Sequence, residues 1–176
     1  IEVLGLADVT PYDEPAETEP TFEGNALLKA RACLAVTALP SLADDSGLCV
    51  DALNGMPGVL SARWSGVSKA DGGDAANNAL LLSQLGDVPD ERRTARFVCA
   101  MALCTPDGVE LVQLGEMPGR ILHGEHGKGG FGYDPLFAAD GYDVSTAELP
   151  ADEKDRISHR GKALRVLLAR LAEEAR

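Results

Sequence analysis

Four stretches of this chain carry residue types whose spacing can do chemistry. The first is Ala43-Asp44-Asp45-Ser46-Gly47, two adjacent carboxylates read as a tight turn after Ser41-Leu42-Ala43. Hard divalent cations take oxygen ligands, and Mg²⁺ is usually held by one or two carboxylates together with substrate phosphates. A carboxylate beside a metal can also orient or deprotonate a water. The competing reading is turn chemistry alone, since Asp, Ser and Gly all favour turns. The second stretch is Gly127-Lys128-Gly129-Gly130-Phe131-Gly132-Tyr133-Asp134-Pro135. It contains a literal G-x-G-x-x-G, but a dinucleotide site needs a strand before that motif and a helix after it. Lys128 is followed by Gly, so it is not a Walker loop either. What remains is a flexible backbone carrying two aromatics and a carboxylate. Phe131 or Tyr133 can stack on a base, and Asp134 can accept from ring N–H groups; alternatively Phe131 is tucked into the core. The third stretch is Lys154 followed by Ser158-His159-Arg160-Gly161, with Ser158 as a helix N-cap. Cations at a helix N-terminus make an anion-facing corner, although Asp152, Glu153 and Asp155 are near enough in sequence simply to pair with them. The fourth is Lys29, a phosphate contact or a plain surface lysine. Each signal is weak alone. Jointly they describe a carboxylate metal site, an aromatic loop with an acid, and cations for phosphate or carbonyl oxygens: the parts of a metal-dependent nucleotide site.

The elements that must position these residues follow from patterning. Asp8–Pro20 is rich in Pro, Glu and Thr and reads as an exposed loop. Over 21–38, Leu27, Ala30, Leu34 and Ala38 share one helical face, and Pro40 stops the helix. Leu48-Cys49-Val50 reads as a short buried strand, Asn54–Gly58 as a loop, and 75–85 as a second amphipathic helix. Arg96–Cys104 is a nearly continuous apolar run, suited to a strand covered on both faces. Thr105-Pro106-Asp107-Gly108 turns it back into a strand over 109–115. Ile157, Leu164, Leu167, Leu168 and Leu171 give the C-terminus helical spacing. Ile1–Leu4 is strand-like. Helices and strands mix without strict alternation, which gives an α/β or α+β fold with a mixed sheet flanked by helices.

With 176 residues, the chain has the length of one domain. Its formal charge of −12 argues against a nucleic-acid polymer, which needs clustered cations, and against an anionic membrane surface. A small anionic ligand stays possible, because a few placed cations or a metal override the global field. No run approaches the ~20 apolar residues of a membrane span, and no signal segment opens the chain. Cys33, Cys49, Cys99 and Cys104 sit singly in apolar runs without metal spacing, and read as buried reduced thiols of a cytoplasmic protein.

Five ordered motifs carry a resemblance. Thr21-Phe22-Glu23-Gly24-Asn25-Ala26-Leu27-Leu28-Lys29-Ala30, Ala43–Leu48, Ser61-Ala62-Arg63-Trp64, Gly129–Pro135 and Ser158–Gly161 together resemble the inosine triphosphate pyrophosphatase family, the XTP/dITP diphosphatases. The resemblance runs the length of the chain. It implies a long mixed β-sheet with helices, split into two lobes around a central cleft, and a homodimer. It also implies Mg²⁺-dependent hydrolysis of deaminated purine nucleoside triphosphates (ITP, dITP, XTP) to the monophosphate and pyrophosphate. Carried over by motif, Asp45 looks like the catalytic acid/base and a metal ligand, with Glu17 as a second ligand and Asp44 in the same acidic cluster. Lys29 and Ser46 look like substrate contacts. Phe131, Gly132, Tyr133 and Asp134 look like the base-recognition loop, and Lys154, His159 and Arg160 like further nucleotide contacts. The family pattern also has a strand, a Ser/Thr-x-Asn-x-x-Lys phosphate loop and a helix ahead of the position matched by Ile1. The expectation is therefore a single domain over 1–176 without those three elements.

Arg160 suits base reading because a guanidinium only donates. It can serve the 6-keto oxygen of hypoxanthine or xanthine, whereas adenine's 6-amino group would oppose it with donors. Each buried polar group left unpaired costs about 1–3 kcal/mol. The rival readings are a broader nucleoside triphosphate phosphohydrolase and a nucleotide-binding protein without turnover.

Overall fold

Thr21 opens the first helix, α1 (Phe22–Thr37), by accepting the Gly24 N–H at its hydroxyl, 3.1 Å away. The helix ends at Ala38, which turns left-handed at φ 55° just ahead of Pro40. The limits predicted from periodicity and the proline thus hold to a residue. The computed structural model describes residues 2–174.

The sheet follows: β1 (Ser41–Val50), β2 (Thr94–Cys104), β3 (Glu110–Ile121) and a short β4 (Phe137–Ala139), hydrogen-bonded in that order. The mixture of helix and strand is as expected. Every pairing among the described strands is antiparallel, where parallel pairs had also been expected. The apolar run at 96–104 is the core of β2, which is paired on both edges and needs apolar side chains on both faces. Its partner β3 runs on to Ile121, six residues past the predicted end, and so takes up part of the glycine-rich stretch.

Side-chain alternation along β2 sorts the core. Ala100, Ala102 and Cys104 pack under Ala26 and Ala30 of α1. Cys99 and Met101, one residue out of phase, pack with Leu111 under Ala163 and Leu167 of the last helix. That C-terminal region is two helices rather than one: α3 (Ala151–Ile157) and α4 (His159–Glu174), broken at Ser158. The start of α4 lies directly on β3. A Cβ built on Gly115 would come within 2.1 Å of the His159 carbonyl oxygen, so only glycine allows this approach. A third core joins Leu48, Phe97, Tyr133 and Phe137 to Leu81 and Leu85 around the second long helix, α2 (Gly73–Gln84).

Two expectations fail. Residues 2–4 form no strand: they have no ladder partner among the described residues, and Val3 is 88 % exposed. Ile1 lies outside the described residues. The segment Asp44–Gly47 is not a turn but the middle of β1. Ten consecutive residue pairs with β2 override the local turn preference of Asp, Ser and Gly.

Candidate active site

Because Asp44 and Asp45 sit on a strand, they point to opposite faces of the sheet. The expectation that they share one acidic cluster is corrected accordingly. Asp45 faces α1. Its buried carboxylate accepts from Lys29 Nζ at 3.0 Å and from Asn25 Nδ2 at 3.1 Å. Asn25 and Lys29 are four apart, one helical turn, so α1 presents both to the same acid. Lys29 Nζ also lies 3.0 Å from Glu17 Oε1, and Arg63 Nη1 donates to the other Glu17 oxygen at 2.8 Å. One ammonium therefore joins the two carboxylates named from sequence as metal ligands.

The charge states follow from these contacts. Burial would raise Glu17, but hydrogen bonds from Arg63 and Lys29 outweigh it and hold the carboxyl below its usual range. Burial works against the Lys29 charge, yet its two carboxylate partners raise its pKa and keep it an ammonium. At Asp45 burial outweighs the Lys29 and Asn25 donors and pushes the pKa up. A carboxylate moved toward neutral pH is a stronger base toward water.

On the opposite face, Asp44 Oδ2 accepts from Arg160 Nε at 3.0 Å, Arg160 Nη2 at 2.9 Å and Ser46 Oγ at 3.0 Å. Arg160 is thus brought to within one residue of Asp45 along the chain. Beside it, His159 is stacked on Phe97 with ring centroids 5.1 Å apart. Burial, helped by the neighbouring Arg160 charge, lowers the His159 pKa to about 4. The ring is neutral near neutral pH, which corrects the expectation of three cations at this helix start. Its Nδ1 is buried without a hydrogen-bond partner.

The glycine-rich loop supplies the third part. Asp134 is 5 % exposed, and its Oδ2 accepts from Lys154 Nζ at 2.6 Å and from the Phe131 N–H at 2.8 Å. Its Oδ1 accepts from Thr146 Oγ1 at 2.9 Å. Lys154 in turn lies 5.4 Å over the Phe131 ring. Phe131 is 61 % exposed, so it is not tucked into the core and offers a free ring face. Tyr133 is the opposite case. It is 4 % exposed, its hydroxyl donates to the Ser61 carbonyl at 2.9 Å, and burial raises its pKa far above the usual range. Tyr133 is a core residue whose ring is closed to stacking. The acids suggested as partners of the basic patch are not used: Lys154 pairs with Asp134, Arg160 with Asp44, and Glu153 with Arg156.

One cavity of about 890 Å³ gathers these parts. Ser46, Phe131, Gly132, Tyr133 and Asp134 line it, and so do Lys154, His159 and Arg160. Lys29, Asp45 and Glu17 do not; Glu17 lines a second, smaller hollow with Arg63. The divide between the two groups is β1 itself, with Asp45 on one side and Ser46 on the other. Among the described strands β1 lies at the edge of the sheet.

Sequence reasoning assigned no role to Asn25, Arg63, Asp74, Asn78, Phe97 or Thr146. The Asn25–Lys29 spacing was a usable signal. Thr146 meets Asp134 only in three dimensions. All four cysteines are free, with Cys49, Cys99 and Cys104 buried and Cys33 half-buried.

Among the described residues no group of three or more His, Cys, Asp or Glu side chains stands together as a complete metal cage. Two carboxylates converging on one cation are nevertheless the donor set Mg²⁺ uses when phosphates complete its shell. Glu17 and Asp45 fit such an ion in chemistry and placement.

Comparison with known proteins places the chain among close relatives. A model of the Ham1 family matches residues 1–170. The chain is 64 % identical over 172 residues to a dITP/XTP pyrophosphatase of Nocardia farcinica, covering 98 % of this chain and 82 % of that protein. It is 55 % identical over 179 residues to a dITP/XTP pyrophosphatase of Corynebacterium glutamicum, covering 99 % and 85 %. Among solved structures, the Ham1 protein of Staphylococcus aureus aligns with TM-score 0.89 at 40 % identity, covering 98 % of this chain and 88 % of that one. The nucleoside-triphosphatase (dITP/XTP pyrophosphatase) of Mycobacterium abscessus aligns with TM-score 0.80 at 56 % identity, covering 97 % and 85 %.

Proposed function

From the premise that this chain belongs to the Ham1 family, we propose that it hydrolyses deaminated purine nucleoside triphosphates (ITP, dITP and XTP) to the monophosphate and pyrophosphate. The observation that carries this reading is the single cavity lined by Ser46, Phe131, Asp134, Lys154, His159 and Arg160, residues from three distant stretches of chain. The purine lies on the open face of Phe131, at the Lys154–Asp134 pair. The triphosphate runs past Ser46 and over the edge of β1 to Asp45. Lys29 turns from its two carboxylates to the phosphates, and its raised pKa keeps it charged for that task.

Mg²⁺, held by Asp45 and Glu17, would supply positive charge for the phosphate oxygens and favour ionisation of the attacking water. Asp45 takes the proton from that water as its oxygen bonds to the α-phosphorus and the bond to pyrophosphate breaks. His159, neutral and with Nδ1 unpartnered, offers the nucleotide a polar contact without adding charge. Arg160 donates to the 6-keto oxygen of the base, for which it must exchange part of its pairing with Asp44.

Three further features belong to this proposal: dependence on Mg²⁺, a homodimeric assembly and a cytoplasmic location. The formal charge of −12 supports a mononucleotide rather than a nucleic-acid polymer as ligand. Among the described residues no helix is long and apolar enough to cross a membrane. The test is product analysis over ITP, dITP, XTP, GTP, ATP and pyrimidine triphosphates with Mg²⁺. Pyrophosphate released selectively from the deaminated purines supports the proposal. Orthophosphate as the product, or equal turnover of pyrimidine nucleotides, overturns it.

A further inference from the structure

Helix α2 was given no nucleotide contact above, although its Asp74 and Asn77 line the same cavity, and it holds the tip of the loop that makes those contacts. Asp74 and Asn78 are one helical turn apart and face the same way. Asp74 Oδ2 accepts the Gly132 N–H at 3.1 Å, and Asn78 Nδ2 donates to the Gly132 carbonyl at 3.2 Å. Both backbone groups of one residue are thus taken by one helix. Gly132 stands at φ 59°, in the left-handed region, directly between the exposed Phe131 and the buried Tyr133. A peptide in that region needs either glycine or external bonds to stay put; here it has both.

Asn78 gives a second, independent sign. It is 4 % exposed, and its Oδ1 is buried with no partner. An orphaned buried acceptor is destabilising. An apolar residue at this position would remove the orphan, so the amide is explained by what its Nδ2 does for Gly132 rather than by stability.

We infer that Asp74 and Asn78 are positioning residues that fix the pose of Phe131, and through it the discrimination between purine bases. This rests on the reading of Phe131 as the surface on which the base lies. By holding Gly132 at both ends, the pair limits the rotation of the Phe131 peptide. The ring then stays under Lys154 and over the cavity, and the distance from the ring to the Arg160 donor is kept constant. A looser tip lets the ring follow whichever base enters. Selectivity falls while the phosphate chemistry at Asp45 is untouched.

The test measures KM and kcat for ITP, GTP and ATP in the full chain carrying Asp74→Ala, Asp74→Asn, Asn78→Ala or Phe131→Ala. The Asp74→Ala and Asn78→Ala variants are each expected to raise KM for ITP about fivefold, the net effect of one lost hydrogen bond. They should lower the ITP-to-GTP ratio of kcat/KM, with kcat at saturation held within about twofold. Asp74→Asn keeps an oxygen acceptor for the Gly132 N–H and should restore both values. Unchanged KM and unchanged selectivity in the folded variants overturn the inference. So does an equal fall in kcat for every nucleotide, which would mark a merely structural role. If Asn78→Ala does not fold, the two substitutions at the half-exposed Asp74 decide the matter. Phe131→Ala separates the two levels. A raised KM for ITP there, with wild-type behaviour in the α2 variants, sinks the positioning pair alone. An unchanged KM in Phe131→Ala sinks the base-platform reading and the inference with it.

Discussion

Replacing Asp134 separates the charge of the glycine-rich loop from its hydrogen bonding. Its carboxylate accepts three donors: Lys154 Nζ and the Phe131 N–H at Oδ2, and Thr146 Oγ1 at Oδ1. In Asp134→Asn the amide has one orientation that satisfies them. Its oxygen takes the Oδ2 position and keeps Lys154 and Phe131, while its NH₂ donates to Thr146, whose hydroxyl can accept. The hydroxyl proton then turns to the Asp134 carbonyl, which already lies 3.2 Å away. Only the ion-pair character is lost, at about 1 kcal/mol. In Asp134→Ala the Lys154 ammonium and the Phe131 N–H lose their acceptor in a nearly closed site, while Thr146 keeps the main-chain carbonyl of residue 134, and the expected cost is about 3 kcal/mol. For a chain of this size that is a fall in Tm of about 6–12 °C for Ala, against a few degrees for Asn. Lys154 is also released from its place over Phe131, so Asp134→Ala should raise KM for ITP more than Asp134→Asn does. Thermal melts and initial rates on the same preparations read both effects. Equal destabilisation by Asn and Ala, or an Ala variant as stable as wild type, would refute the claim that hydrogen bonding dominates at this carboxylate.

Two further outcomes follow from the charge states. His159 is held neutral down to about 4 from an ordinary value of 6.5. The unfolded chain therefore takes up the proton first, and stability falls as pH drops from about 6.5 to about 4, then levels off. The loss amounts to about 3 kcal/mol. Denaturant melts across that range should show it, and His159→Gln should remove that slope; a slope unchanged by the substitution excludes His159 as its source. Lys29→Met leaves Glu17 and Asp45 facing each other without their cation. The variant should be less stable than wild type near neutral pH, with the gap closing in acid as Asp45 is protonated. A gap that does not depend on pH would show that the lysine acts through packing alone.

The parts of the fold that could be read from sequence are those set by local rules. Helix α1 was legible to a residue because Thr21 caps it and Pro40 follows its end. Strand β2 was legible because pairing on both edges demands apolar side chains on both faces. The acidic segment was not, since Asp44, Asp45, Ser46 and Gly47 are turn formers whose strand conformation comes from a partner more than fifty residues away. That error carried into the site, because only a strand sends Asp44 and Asp45 to opposite faces. Tyr133 and Phe131 are equivalent as sequence, two aromatics in a glycine-rich loop. What divides them is the Ser61 carbonyl, which takes the tyrosine hydroxyl into the core. The α2 residues that hold Gly132 were not singled out from sequence, and Asp74 fell outside the helix predicted over 75–85, because their partner is a backbone peptide with no sequence signature.

The proposed hydrolysis turns on Asp45, and one measurement addresses that residue: pyrophosphate release from ITP with saturating Mg²⁺ by wild type and by Asp45→Asn, each shown by melting to be folded. The expected result is pyrophosphate from the wild type and a rate at least about 100-fold lower in the variant, the usual contribution of a positioned base. An Asp45→Asn protein that releases pyrophosphate at the wild-type rate would contradict it.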